Sequence, residues 1–170
     1  MGSRRRAAAA PRIELRSPAT PAELDATRDI FREYAGSLGV DLCFQNFEAE
    51  LAALPGEYAA PRGMLLLALV DGKVAGCGAL RPLLDVDYAN ACEMKRLYVR
   101  SAYRAYGLGR QLAQALIDGA VRAGYSSMLL DTLDEMEAAR GLYTSLGFEE
   151  IPPYYFNPIP GAHYLKVKLD

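Results

Sequence analysis

The chain has 170 residues, with 19 Lys and Arg against 21 Asp and Glu, a formal net charge of −2 and a hydrophobic fraction of 51%. This composition fits one globular domain and is too apolar for general disorder. A charge near zero gives no electrostatic reason to expect nucleic acid as the main partner. The longest apolar run, residues 64–70, is too short to cross a bilayer, so we expect no membrane partner.

The cysteines and the histidine bear on metal binding and on the compartment. Cys43, Cys77 and Cys92 are scattered through the chain, and His163 is the single histidine. Because this spacing is not that of metal ligands, we expect no metal site. Unpaired, scattered thiols favour a reducing compartment, so we expect a cytoplasmic protein. His163 is expected at the entry of a strand, and a nucleophilic role for Cys92 is not expected.

The N-terminal segment, residues 1–11, carries three arginines followed by four alanines. It lacks the bulky apolar stretch of a secretory signal and the amphipathic stripe of a transit peptide. We interpret it as a disordered leader, or a remnant of recombinant expression, and expect a single domain over residues 12–170.

In the first half of the chain, local signals predict strands and helices in alternation. Thr20-Pro21 followed by Glu23 is typical of a capped helix start. The dipeptide Asp71-Gly72 between two apolar runs is the strongest hairpin signal, because both residues adopt the positive φ angles of a type I′ turn. The predicted elements are a strand at 12–16, helices at 20–34 and 47–54, and strands at 64–70 and 73–80.

The second half adds two helices and four strands. An apolar face predicts a helix over residues 107–123, and Gly147 is typical of a helix end. The other predicted elements are strands at 91–99, 128–131, 148–151 and 164–169 and a helix at 135–146. This order predicts an α+β fold, with helices on both faces of a mixed, mostly antiparallel sheet.

The segment Arg104-Ala-Tyr-Gly-Leu-Gly-Arg110 joins a predicted strand to a predicted helix. Glycines allow close approach of the backbone, and the N–H groups of a first helical turn have no intrahelical partner. A pyrophosphate fits such a site, where two arginines can add charge-assisted hydrogen bonds. The P-loop pattern fails because Arg110-Gln111 follows Gly109, and the dinucleotide fingerprint fails because a third glycine is missing.

The same segment matches the pattern Arg/Gln-x-x-Gly-x-Gly and resembles the phosphate loop of the GNAT superfamily of acyl-CoA N-acyltransferases. The strand at 92–100, the stretch at 139–148 and the order of elements from about residue 12 to 170 also resemble this superfamily, in its small single-domain bacterial form. The resemblance implies a GNAT-like sheet of about seven strands, splayed in the middle and flanked by about four helices. It also implies acetyl-CoA as cosubstrate, with no metal.

By the same resemblance, the acyl-CoA lies in the cleft where the sheet splays. The backbone of Leu97, Tyr98 and Val99 would pair with the pantetheine arm like an added strand. The family's pantetheine-binding asparagine has no counterpart in residues 134–138, so a contact from that helix is left open. The pyrophosphate would bind the backbone of Arg104, Ala105, Tyr106, Gly107, Leu108, Gly109 and Arg110.

Two catalytic residues are also implied by the resemblance. Glu93 stands where some family members carry a glutamate base, which would accept the amine proton through a water. The alternative is a glutamate paired with Lys95 or Arg100. Tyr143 corresponds to the family's tyrosine acid, which would protonate the thiolate leaving group. The alternative is an aromatic residue of the core.

The acceptor side is less defined by the sequence. Candidate walls are the aromatic run at 154–156, the segment at 41–44 and the segment at 81–87. The rings of residues 154–156 could equally pack on the sheet. We expect transfer of acetyl from acetyl-CoA to a primary amine of a small molecule by direct attack in a ternary complex. A protein lysine or N-terminus as acceptor, or a non-catalytic acyl-CoA sensor, are the alternatives, and a homodimer is possible.

Overall fold

The computed structural model describes residues 10–38, 46–133 and 137–169. The strands among these residues are β1 (Ile13–Arg16), β2 (Met64–Val70), β3 (Lys73–Leu83), β4 (Ala91–Val99), β5 (Ser127–Leu133), β6 (Glu149–Ile151) and β7 (Ala162–Lys168). The α-helices are α1 (Pro21–Ser37), α2 (Phe47–Ala53), α3 (Leu108–Arg122) and α4 (Glu137–Ser145), with 3₁₀ turns at Gly56–Tyr58 and Ser101–Tyr106.

All described strands form one seven-stranded sheet in the order β1-β2-β3-β4-β5-β7-β6. The pair β4–β5 is parallel, and the other described neighbours are antiparallel. The predicted α+β class, the mixed and mostly antiparallel sheet and the number of its strands are therefore confirmed. The expected leader lies almost wholly outside the described residues, since the description begins at residue 10.

Helix α1 begins where the sequence predicts because its first turn is capped on both sides. The Thr20 hydroxyl accepts a hydrogen bond from the Glu23 N–H at 3.1 Å, and the Glu23 carboxylate accepts one from the Thr20 N–H at 3.1 Å. The helix runs to Ser37, one turn beyond the predicted end near Tyr34. Gly36 lowers helix propensity, but a single glycine near a helix end does not stop the helix.

The predicted hairpin is present, with φ of 50° at Asp71 and 80° at Gly72. Strand β3 extends past the predicted end at residue 80 and includes Pro82. The proline is tolerated because β2 pairs with β3 only up to Leu80, so β3 is bordered there by β4 alone. Prolines within sheets are found at such edge positions.

Each face of the sheet carries its own hydrophobic core, as expected for helices on both faces. One core packs α3 and α4 on the sheet through residues that include Leu112, Leu116 and Tyr143. The other core packs α1 and α2 on the opposite face through residues that include Ile30, Phe31 and Leu51. The sheet is thus a buried middle layer, and a site can open only at its edges or where its strands part.

The strands part between β4 and β5. Their pairing covers Ala91–Glu93 against Ser127–Leu129 and does not continue along the remaining length of either strand. On its other side, β4 carries a bulge opposite Gly78, where Arg96 has a φ of 60°. A Cβ at Gly78 would lie 2.9 Å from Leu116 Cδ1, so glycine lets the Leu116 side chain of α3 pack closely on this bulge. The splay that the resemblance implies is therefore present.

Candidate functional site

A cleft of about 700 Å³ fills the gap left by the diverging strands. The carboxyl end of β4 contributes Leu97, Tyr98 and Val99, and α4 contributes Ala139 and Leu142. The β4 backbone there pairs with β3 on one side, while β5 has already turned away on the other side. The three predicted pantetheine-binding residues thus lie together along one wall of the cleft.

The predicted phosphate loop lies at one end of this cleft. Residues Ser101–Tyr106 form a 3₁₀ turn, Gly107 takes a φ of 69°, and α3 begins at Leu108. No side chain caps this helix start, so the N–H groups of its first turn remain available to an anion. The macrodipole of α3 adds a partial positive charge at the same point.

The residues of the loop differ in which groups they can offer to a ligand in the cleft. Arg104 lines the cleft and its Nε lies 3.4 Å from the Val99 carbonyl oxygen, whereas Arg110 donates from Nη2 to Ser145 Oγ at 2.6 Å. Ala105 and Tyr106 are exposed in the 3₁₀ turn. The remaining predicted residue, Leu108, has its side chain buried in the core, so it can offer only its backbone to a ligand.

The two glycines of the loop, Gly107 and Gly109, differ in what a side chain at their position would meet. Gly107 has a positive φ, which a residue with a side chain adopts only with strain. Gly109 faces the cleft, and a Cβ there would meet Leu142 at 3.5 Å, an ordinary contact. The packing of the protein itself therefore does not require glycine at 109, and the space in front of it belongs to the cleft.

Glu93 lies on the α1/α2 face of the sheet and is 1% exposed. Its Oε1 accepts hydrogen bonds from Arg81 at 2.8–2.9 Å and lies 3.9 Å from Lys95 Nζ, and its Oε2 accepts one from the Tyr154 hydroxyl at 2.6 Å. Arg100, the other candidate partner, binds a glutamate of α1. Burial raises the pKa of Glu93, but Lys95, Arg81 and Tyr154 outweigh it and hold the pKa below 4.5.

Tyr143 projects from α4 toward the sheet and is 6% exposed. Its ring packs on Phe148 with centroids 5.6 Å apart, and it lines a small cavity of about 40 Å³ together with Leu97 of β4. The hydroxyl makes no hydrogen bond to any residue that the structure describes. Burial raises the pKa of this phenol above its ordinary value of 10, so it keeps its proton and can donate.

The aromatic run that follows β6 covers the face of the sheet on which Glu93 lies. Tyr154 donates to Glu93, and Tyr155 donates to Asp131 at 2.5 Å. Both rings also pack on Tyr164 of β7, at centroid distances of 5.4 and 5.6 Å. Tyr154, Tyr155 and Phe156 line a second cavity of about 290 Å³, so the rings both pack on the sheet and form a wall.

Residues of the segment 81–87, which was expected to form a wall, also line this second cavity, among them Arg81 and Asp85. The wall expected at residues 41–44 lies outside the described residues. His163 lies near the start of β7, as expected, with Nδ1 2.8 Å from a Glu150 oxygen. Cys92 is buried in the α3 core, and burial raises the pKa of its thiol to about 12, which opposes thiolate formation.

Three residues at the site were not predicted from the sequence as site residues. Asp131 on β5 and Tyr34 on α1 line the small cavity beside Tyr143. Lys95 lines both the small cavity and the second cavity, although its side chain is only 5% exposed. One signal was available for Lys95 and Asp131, since each is a charged residue inside an otherwise apolar strand. No local signal distinguishes Tyr34 from a core tyrosine of an amphipathic helix.

The Lys95 ammonium is poorly satisfied within the protein. Its nearest charged partner is Glu93 Oε1 at 3.9 Å, and it makes no hydrogen bond within the described part of the chain. Burial lowers the pKa of Lys95 below its ordinary value of 10.5, although Glu93 and Asp131 act in the opposite direction. The small cavity and the second cavity therefore meet at a cation that makes no hydrogen bond with a described residue, and the small cavity meets the cleft at Leu97.

Two further properties concern the described residues as a whole. Residues 10–38, 46–133 and 137–169 hold no cluster of three His, Cys, Asp or Glu side chains that could bind a metal ion. None of the helices in these ranges has the length and apolar character needed to cross a bilayer.

Comparison with known proteins gives consistent matches. The model of the Acetyltransferase (GNAT) family matches residues 24–148. An uncharacterised N-acetyltransferase of Schizosaccharomyces pombe is 40% identical over 159 residues, which is 93% of this chain and 96% of that protein. An N-acetylaspartate synthetase of Xenopus tropicalis is 33% identical over 64% of this chain and 40% of its own length. An acetyltransferase of Salmonella typhimurium, solved with its cofactor acetyl-CoA, superposes with a TM-score of 0.70 at 23% identity, covering 94% and 95% of the two chains.

Proposed function

The chain belongs to the GNAT family of N-acetyltransferases, enzymes that use acetyl-CoA as cosubstrate, and from that premise we propose that it acetylates the primary amine of a small molecule by direct attack in a ternary complex. The observation that carries the proposal is the meeting of the cavities. The small cavity at Tyr143 shares Leu97 with the 700 Å³ cleft and Lys95 with the 290 Å³ cavity. Cosubstrate and acceptor can thus approach one point from two sides.

We propose that the cleft takes acetyl-CoA with its diphosphate at the start of α3. The uncapped N–H groups after Gly107, the helix dipole and Arg104 support this placement. The β4 backbone from Leu97 to Val99 would then pair with the amide groups of the pantetheine arm. This arrangement brings the thioester toward Leu97 and Tyr143, where the small cavity lies.

In the proposed reaction, the amine nitrogen forms a bond to the thioester carbonyl carbon, and the carbon–sulfur bond of the resulting tetrahedral intermediate breaks. The amine loses a proton, which we assign to the ionised Glu93 through a bridging water. The leaving CoA thiolate accepts a hydrogen bond and then a proton from Tyr143, whose hydroxyl is protonated and without another partner among the described residues. The main contribution to the rate is proximity, because the site holds the amine next to the thioester carbonyl carbon.

The dimensions of the second cavity support a small acceptor. About 290 Å³ is at the lower end of ligand pockets, which span roughly 300–1,000 Å³. The loop at 154–156 lines this cavity, and the hydroxyls of Tyr154 and Tyr155 hold it on the sheet by hydrogen bonds to Glu93 and Asp131. The name of the Xenopus relative also specifies a small acetylated product, N-acetylaspartate.

The test is release of free CoA from acetyl-CoA across a panel of amino acids, polyamines, aminoglycosides and N-terminal or lysine-containing peptides. We expect turnover with at least one small amine and little with peptides. Turnover confined to peptides would contradict the small-molecule proposal in favour of a protein acceptor. Binding of acetyl-CoA without transfer to any amine would contradict it in favour of a sensor.

A further inference from the structure

The second cavity contains three buried or half-buried cations, and they differ in how their charge is satisfied. Arg96 binds both carboxylate oxygens of Glu50, at 3.0 and 3.2 Å. Arg81 binds Glu93 and also donates to Glu57 at 2.7 Å. Lys95 has only the 3.9 Å approach of Glu93 and no hydrogen bond with a described residue.

An ammonium group carries three donors, and Lys95 Nζ is not among the fully enclosed polar atoms that lack a partner, so its donors are open to the cavities. The Lys95 side chain is 5% exposed and borders both the acceptor cavity and the small cavity beside Tyr143. A ligand oxygen in either cavity could accept these hydrogen bonds. A carboxylate is the strongest such acceptor, because a hydrogen bond between two ions is about twice as strong as a neutral one.

We propose that the acceptor is an α-amino acid whose carboxylate binds the Lys95 ammonium, a substrate class that deepens the proposed transfer to a small amine and rests on it. Lys95 lies where the two cavities meet, so a group bound to it lies next to the reacting amine. In an α-amino acid a single carbon separates the amine from the carboxylate. The amine then faces the small cavity lined by Tyr143 and Asp131.

Charged groups of both signs line the site, as a zwitterion requires. The cations Arg81, Lys95 and Arg96 face the carboxylates of Glu50, Glu57, Glu93 and Asp131, and Asp85 also lines the cavity. A zwitterion can pair each of its two charges with an opposite charge in such a site, and it adds no net charge to a region of low dielectric. Its ammonium gives one proton to solvent before attack, and the second proton passes to Glu93 as in the proposed reaction while the carboxylate stays on Lys95.

The first arm of the experiment compares matched acceptors with the wild-type protein. Release of CoA is measured with each amino acid, with the amide of the best one, with its decarboxylated amine and with a peptide that begins with it. We expect kcat/KM for the amino acid to exceed that for the amide and the amine by about ten- to hundredfold, the effect of losing a charge-assisted hydrogen bond.

The second arm uses Lys95→Met, which keeps the length of the side chain and removes the ammonium, with Lys73→Met at an exposed position of the β2–β3 hairpin as control. We expect Lys95→Met to lower the ratio of kcat/KM for the amino acid to that for the amide by about ten- to hundredfold. Because Lys95 also lowers the pKa of Glu93, any change through Glu93 falls equally on both acceptors and leaves this ratio unaffected. Lys73→Met should behave as wild type with both acceptors.

The outcomes separate the two proposals. If small amines are acetylated but the amide matches the amino acid, the carboxylate proposal is overturned and the proposed function stands. Equal loss on both acceptors in Lys95→Met also overturns it, because Lys95 then acts on the fold or on the reaction in general. If the wild type transfers acetyl to no small amine, the proposed function fails and this inference fails with it. Should Lys95→Met not fold, the wild-type comparison of acid and amide still decides.

Discussion

Glu93 is ionised and bonded through both carboxylate oxygens, so its neighbours set its chemistry. Its pKa lies below 4.5, and it therefore does not titrate between pH 6 and 9. If it is the proton acceptor, we expect Glu93→Gln to lower kcat by about a hundredfold, and by the same factor across that range. The pH–rate profile of both proteins measures this. Wild-type turnover in Glu93→Gln would move the base to another group, with Asp131, which lines the small cavity, as one candidate.

The loss of stability in Glu93→Gln, unlike the loss of kcat, is expected to depend on pH. Because folding lowers the pKa of Glu93, its ionised form stabilises the fold above pH 4.5, and this contribution is lost as the pH falls through the folded-state pKa. The difference in Tm between wild type and Glu93→Gln should therefore be largest near pH 7 and shrink in acid. This control separates loss of a proton acceptor from loss of the fold.

Tyr143 presents the opposite case, a group held in its protonated form by burial. We expect Tyr143→Phe to lower kcat by about a hundredfold while the Kd for acetyl-CoA changes little, because the hydroxyl acts as charge develops on sulfur. Steady-state kinetics and calorimetry measure the two quantities. Tyr88→Phe, a half-buried tyrosine outside the cavities, is the matched control. Unchanged turnover in Tyr143→Phe would leave Tyr143 as a core aromatic residue.

Among the elements, the start of α3 combines a tight turn with an uncapped helix end. We expect Gly109→Ala to keep or raise Tm, since a Cβ there meets only Leu142 at an ordinary distance. The same methyl group would enter the space assigned to the diphosphate and raise the Kd for acetyl-CoA by about tenfold, the loss of roughly one charge-assisted hydrogen bond.

A matched control exists in α4, where a Cβ at Gly141 would meet no atom within 4 Å. Gly141→Ala should raise Tm slightly, by the usual gain in helix propensity, and leave acetyl-CoA binding unchanged. Thermal denaturation and calorimetry with acetyl-CoA compare the two variants. Equal affinity in Gly109→Ala and Gly141→Ala would place the diphosphate elsewhere.

On the scale of the whole molecule, the sheet is continuous at one end and open between β4 and β5 at the other. A ligand that bridges the two halves should stabilise the native state, by about 2.7 kcal/mol at a hundredfold excess over Kd. For a chain of this length that corresponds to a rise in Tm of about 5–10 °C. We expect this shift with acetyl-CoA and a much smaller one with pantetheine at the same concentration, because pantetheine lacks the diphosphate. Equal shifts would contradict the assigned phosphate site.

Local sequence determined several turns and helix starts of this protein. The capping box at Thr20, the Asp71-Gly72 turn and the glycine pattern at 107–109 act over a few residues, so their structures follow from nearest neighbours. The order of elements and the phosphate-loop pattern were enough to predict the α+β class and the family. The cytoplasmic location and the homodimer stay predictions from the sequence.

Tertiary structure decided which side chains face one another across the gap in the sheet. Lys95 and Glu93 lie on one strand, but Arg81, Asp131 and Tyr154 come from three other segments. The pKa of Glu93 depends on that assembly, because charges at close range in a dry environment outweigh the cost of burial. Sequence patterns relate residues that are a few positions apart. The contact between Glu93 and Tyr154 joins residues 61 positions apart across the face of the sheet, so no local pattern predicts it.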